Sequence, residues 1–128
     1  MISPRQDYGA DGAWASSNGE CYSAVVSEYK YTICPFGQAK QEPKNGGGST
    51  NLGNFKGFTG PEGNKYSKIA FEGGQKCWNG PSRSLTVEVK CGSEGSLSNI
   101  IEPSKCEYTG IFRHPAVCEA LPAGHDEL

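Results

Sequence analysis

Much of what this chain of 128 residues lacks is informative. No apolar stretch approaches the length of a membrane-crossing helix, and no window carries a sustained helical stripe. There is no CxxC pair, and His114 and His125 lie far from any cysteine spacing suited to zinc, so no metal is expected. His114 precedes a proline, His125 sits in the tail, and no nucleophile elbow is present, which argues against a serine hydrolase. Twelve basic against 14 acidic residues give a net charge of -2, so nothing electrostatic draws the chain to nucleic acid or to an anionic membrane. No leader with an apolar core stands at Met1, which suggests a mature fragment of something longer.

What is present points elsewhere. Six cysteines in a small polar chain imply disulfides and an oxidising compartment, although cysteine count alone leaves the pairing open. Eighteen glycines and eight prolines favour short strands joined by turns, and the length suits one domain helped by covalent staples. The last four residues, His125-Asp126-Glu127-Leu128, read as an endoplasmic reticulum retrieval signal in preference to a chance acidic tail or an added tag, so a lumenal retrieval receptor is an expected partner.

The stretch from Cys77 to Cys118 holds four of the six cysteines. Inside it, Ser84 to Lys90 alternates polar and apolar residues, placing Leu85, Val87 and Val89 on a buried face of a strand. Cys91 closes that strand, and Gly92 and Gly95 mark a turn. Glu102-Pro103 then reads as a bend in a connecting loop where regular pairing ends, before a further strand from Lys105 to Phe112. Upstream, Ala24-Val25-Val26 and Tyr29 to Ile33 read as a hairpin turning at Ser27-Glu28. The glycine-rich run from Asn45 to Asn51 has the composition of a plain connection and lacks the lysine of a phosphate loop. Two more strands are expected over 54–60 and 66–71, the second with an ambiguous face. Residues 1–20 read as a polar lead-in with Trp14 covering one end, 21–119 as the folded domain, and 120–128 as a tail.

Four motifs, in this order, carry a family resemblance: Cys34-Pro35-Phe36 followed by Gln41; Cys77-Trp78-Asn79-Gly80-Pro81 with Arg83 and Ser84; Glu102-Pro103-Ser104 with Cys106-Glu107-Tyr108; and Pro115-Ala116-Val117-Cys118. The arrangement resembles the mannose 6-phosphate receptor homology (MRH) domain, more closely the version in the beta subunit of endoplasmic reticulum glucosidase II. The resemblance implies an all-β fold, a flattened antiparallel barrel or sandwich stapled by Cys21–Cys34, Cys77–Cys106 and Cys91–Cys118. It implies a lectin with Gln41, Arg83, Glu102 and Tyr108 as mannose-binding residues, Gln41 being preferred to its neighbour Gln38 by spacing. Gln41 and Arg83 would hold the axial 2-hydroxyl, Glu102 and Tyr108 the 3- and 4-hydroxyls. High-mannose N-glycans and a catalytic alpha subunit are the implied partners, the endoplasmic reticulum lumen the implied compartment, and no cofactor is implied.

The residue types suit that task independently. Sugar binding asks for planar polar groups that donate and accept to neighbouring hydroxyls: glutamine does both, arginine donates, an ionised glutamate accepts, and a tyrosine hydroxyl does either. Plainer readings stand beside this one. Arg83 and Glu102 would make an ordinary surface ion pair, Tyr108 a core tyrosine with its hydroxyl at the rim, and Trp78 either a cover for its disulfide or a ring for a second sugar. Glu102 with Glu107 or Glu88 would be the only route to a glycosidase. Glu102-Pro103-Ser104 lacks the second carboxylate a calcium loop needs, so binding is expected to survive chelators. A competing class is an adaptor that chiefly retains a catalytic chain through its terminal signal.

Overall fold

The structure is a computed structural model and describes residues 12–118. Eight strands form one sheet: β1 Tyr22–Val26, β2 Tyr29–Ile33, β3 Gln38–Pro43, β4 Thr50–Phe58, β5 Lys68–Glu72, β6 Ser84–Cys91, β7 Ser96–Ser104 and β8 Glu107–His114, in the order β1-β2-β3-β4-β5-β6-β8-β7. The two outer strands, β1 and β7, lie against each other, so the sheet nearly closes on itself as a barrel. Short 3-10 turns at Ala15–Ser17, Lys65–Ser67 and Pro115–Val117 are the helical elements among the described residues.

The alternation in β6 works as expected. Leu85 and Val87 are fully buried and Val89 is nearly so. In β8 the inward set is Tyr108, Gly110, Phe112 and His114. Strand β5 resolves its ambiguity by burying Ile69, Ala70 and Phe71 in succession. On β4, Gly53 has φ +151, and a β carbon there would stand 2.5 Å from the Phe71 carbonyl carbon, so the close approach of β4 to β5 requires a glycine. The interior is aromatic: Phe55 lies 5.8 Å from Phe58 and 6.1 Å from Phe71, ring to ring, and Trp14 packs 5.5 Å from Phe58. Offset and tilted rings at such spacings add to the area they bury.

One expectation needs correction. The segment read as a loop around Glu102 is part of β7, which runs through Pro103 to Ser104. It does so because its register against β8 shifts twice, between Ser98 and Ile101 and again between Ile101 and Ser104, and Pro103 falls in the second irregularity, where a missing N–H breaks no ladder bond. The sheet is mostly antiparallel, as expected, with one parallel pair. β6 and β8 pair in parallel from Ser84↔Glu107 to Cys91↔His114, with β7 outside β8.

All three disulfides are formed as Cys21–Cys34, Cys77–Cys106 and Cys91–Cys118. The first closes the β1–β2 hairpin, whose turn holds Ser27 at φ 60. The lead-in is firmly packed where it is described: Trp14 is 1% exposed and stacks on His114 at 4.4 Å. The His114 Nδ1 accepts the Ala116 N–H at 2.9 Å, which leaves the proton on Nε2, facing the Ser17 hydroxyl at 2.8 Å. Burial holds the His114 pKa below its ordinary value, so the ring is neutral in this setting. The terminal tetrapeptide and the tail 120–128 lie outside the described residues.

Candidate functional site

Strands β2 and β3 place the first pair. Their register sets Tyr31 directly opposite Gln41, and the Gln41 Nε2 donates to the Tyr31 hydroxyl at 3.1 Å. With Nε2 donating to Tyr31, this contact engages one amide hydrogen and leaves the oxygen and the second N–H outside it. Gln38 sits exposed at the start of β3, opposite Asn54, away from this contact. The Tyr31 ring in turn lies 6.3 Å from that of Tyr108 on β8.

Tyr108 is the centre of the set. It is 8% exposed and belongs to the core cluster, as Tyr31 does. Burial raises the Tyr108 pKa, the Glu102 charge raises it further, and the Arg83 guanidinium beside it pulls the other way through a hydrogen bond and its positive charge. The phenol therefore keeps its proton at neutral pH and is able to donate as well as accept.

Arg83 stands one residue before β6 and is held by backbone. Its own N–H bonds the Gln75 carbonyl at 3.1 Å, and its Nη1 reaches the Gln75 and Lys76 carbonyls at 3.3 and 3.4 Å. Its Nε is buried without a partner, an unsatisfied charged donor of a kind that proteins retain for a reason. Glu102 projects from β7, and its Oε2 accepts the Cys106 N–H at 2.6 Å, leaving the other oxygen free to accept. No ion pair joins Arg83 to Glu102 among the described residues, so the simple surface-pair reading fails. Instead both charges converge on one phenol.

One disulfide organises both anchors. Cys77 follows the Gln75 and Lys76 carbonyls that hold Arg83, and Cys106 supplies the N–H that holds Glu102, so the Cys77–Cys106 bond joins the two supports. Trp78 leaves that bond on a tight turn and is 83% exposed, so it does not cover the disulfide. The Lys105 ammonium lies 5.5 Å from its ring centroid. One residue here escaped the sequence reading, Tyr31, which a register assignment for β2 and β3 would have revealed.

The glycosidase route finds no support in placement. Glu88 lies on the outer surface of β6, 3.5 Å from Lys90, and Glu107 is exposed at the start of β8. A cavity of about 400 Å³ on that outer surface, lined by Lys68, Thr86, Glu88, Asn99 and Ile101 among others, shares no residue with the set around Tyr108. No group of three or more metal-ligating side chains occurs among the described residues.

Gln41, Arg83, Glu102 and Tyr108 thus present an amide oxygen, guanidinium N–H groups, a carboxylate oxygen and a neutral hydroxyl around a core rim, backed by two aromatic rings. Such a set can bind vicinal hydroxyls, and it surrounds its single carboxylate with donors and not with the second carboxylate that glycoside hydrolysis calls for.

Comparison with known proteins agrees with this architecture. The family described as glucosidase II beta subunit-like protein matches residues 3–126. Glucosidase 2 subunit beta of Bos taurus and that of Homo sapiens are each 40% identical over 128 residues, covering 95% of this chain. This chain spans 24% of the length of those relatives. Among solved structures, the MRH domain of glucosidase II beta bound to mannose superposes with a TM-score of 0.68 at 30% identity, covering 82% of this chain and 99% of that one. By sequence and by fold, the chain belongs to the glucosidase II beta subunit-like family, and its domain is an MRH domain.

Proposed function

We propose that this domain is a lectin for terminal, unphosphorylated α-linked mannose on high-mannose N-glycans. Within the longer subunit to which it corresponds, it presents those glycans to a separate catalytic alpha subunit that trims glucose, and does no bond cleavage itself. The observation that carries this reading is the convergence of Arg83 and Glu102 on Tyr108, with Gln41 held through Tyr31 on the adjoining edge. An acceptor amide beside a guanidinium suits an axial 2-hydroxyl, the group that separates mannose from glucose. The carboxylate and the phenol suit the neighbouring equatorial hydroxyls. Trp78, exposed beside this set, provides an apolar face for the sugar that precedes the terminal mannose.

Two features support the compartment: three disulfides, and the expected reading of His125-Asp126-Glu127-Leu128 as a retrieval signal. The lumen of the endoplasmic reticulum satisfies both. Calorimetry with methyl α-mannoside and methyl α-glucoside tests the proposal. Saturable binding of the mannoside, unaffected by chelators, with the glucoside silent, is the expected result. A domain that ignores both sugars yet captures the catalytic subunit would instead be an adaptor.

A further inference from the structure

We propose that Lys105 is a positioning residue for Trp78, fixing which face of the indole is turned toward the glycan. The inference rests on the reading of Trp78 as the contact for the sugar next to the terminal mannose.

An indole that is 83% exposed has little packing to choose its rotamer. Here the neighbouring strand end supplies the choice. The Lys105 Nζ lies 5.5 Å from the Trp78 ring centroid and also donates to the Asn79 carbonyl at 3.3 Å. The lysine stem runs along the turn: a β carbon placed on Gly80 would stand 3.5 Å from its Cε and 3.6 Å from its Cδ. The bond between Cys77 and Cys106, the residues beside Trp78 and Lys105, keeps the two segments in step. Thus one ammonium is held by a carbonyl on the residue after Trp78 while it sits over the Trp78 ring. A ring covered by a cation on one side has only its other side to offer.

Exposed cation–π attraction is weak, and its value here is to restrict the ring before the glycan arrives, which spares part of the ordering cost of binding. The consequence is selective. Lys105 matters for a ligand that reaches Trp78 and is silent for one that fills only the set around Tyr108.

The test uses the folded domain with two probes, methyl α-mannoside and an α-linked mannobiose, and follows the indole N–H signals of Trp78 and Trp14 by NMR without ligand. Lys105→Met is expected to weaken mannobiose about two- to fivefold, the size of an exposed cation–π contact, and to leave methyl α-mannoside unchanged. Lys105→Arg should restore mannobiose binding, and Lys105→Met should cost nothing further in a Trp78→Ala background. In the absence of sugar, the Trp78 heteronuclear NOE should drop toward that of an unrestrained side chain, while the Trp14 signal stays fixed. If Trp78→Ala weakens mannobiose and Lys105→Met does not, the positioning role is wrong. If Trp78→Ala has no effect, it is the reading of Trp78 that fails, and an unchanged Trp78 NOE in Lys105→Met then removes the lysine contact as well.

Discussion

Gln41 and Tyr31 face each other across the β2–β3 pair, joined by a side-chain hydrogen bond of 3.1 Å. The bond ties the Gln41 amide to a core tyrosine and so brings that tyrosine into the polar set. Tyr31→Phe removes the hydroxyl and keeps the ring. Mannoside affinity is expected to fall by about threefold to tenfold, the worth of a typical net hydrogen bond, with no change in melting temperature beyond a few degrees. Calorimetry on the two proteins checks this, and equal affinity would mean that Gln41 orients itself.

Arg83→Ala and Glu102→Gln are each expected to abolish measurable mannoside binding with the fold retained. A lost charged partner costs roughly 1.5–3 kcal/mol, and either loss changes the charge acting on Tyr108. Glu102→Gln keeps the size of the side chain but weakens the acceptor that now holds the Cys106 N–H. Circular dichroism establishes that the variants fold, and a variant that then binds like the parent removes that residue from the site.

A phosphorylated sugar is expected to bind no better than mannose. Between Cys91 and Cys106 the charged residues are Glu94, Glu102 and Lys105, two acids against one base. That single ammonium is already engaged with the Asn79 carbonyl and the Trp78 ring. A phosphate needs donors aimed at it and here meets carboxylates. Mannose and mannose 6-phosphate titrated side by side decide the matter, and tighter binding of the phosphate would overturn this reading.

The domain is expected to lose stability as pH falls below about 6.5, the ordinary histidine value. The sign follows from His114, whose folded pKa lies below that value because the ring is buried. As pH falls past 6.5 the unfolded chain takes up a proton that the folded chain refuses, so stability present above that point drains away until the folded pKa is reached. Protonating Nδ1 would also break the bond from the Ala116 N–H. Melting curves from pH 8 to pH 5 should show the decline, and His114→Gln should flatten it. A parent curve that stays level through this range would contradict the assignment.

Sequence patterning reached some elements and missed others for physical reasons. β6 was legible because Leu85, Val87 and Val89 keep strict period two, and the β1–β2 hairpin because two apolar runs flank a short polar turn. β3 was not, since Gln38–Pro43 contains a single strongly buried apolar residue, Ala39, and is a strand only because β2 and β4 pair with it on both sides. In β7 the buried Leu97 and Ile100 stand three residues apart and so break the period of two, because the register shifts between Ser98 and Ile101, where Asn99 has φ 55. Gln41, Arg83, Glu102 and Tyr108 were singled out through a family resemblance. The bond to Tyr31 and the disulfide beneath the two charges are tertiary facts that no local pattern encodes.

The parallel pairing of β6 with β8 has a consequence for how the molecule is made. Leu85 must find Tyr108 across the whole of β7, and that ladder cannot begin until β8 exists as chain. During synthesis the hairpin of β1 and β2 is free to form early, as local contacts are. Arg83 and Tyr108, by contrast, become neighbours only near the end of the domain. A chain made only as far as β6 therefore lacks Glu102 and Tyr108, and the set of four polar side chains is complete only once β7 and β8 have been added.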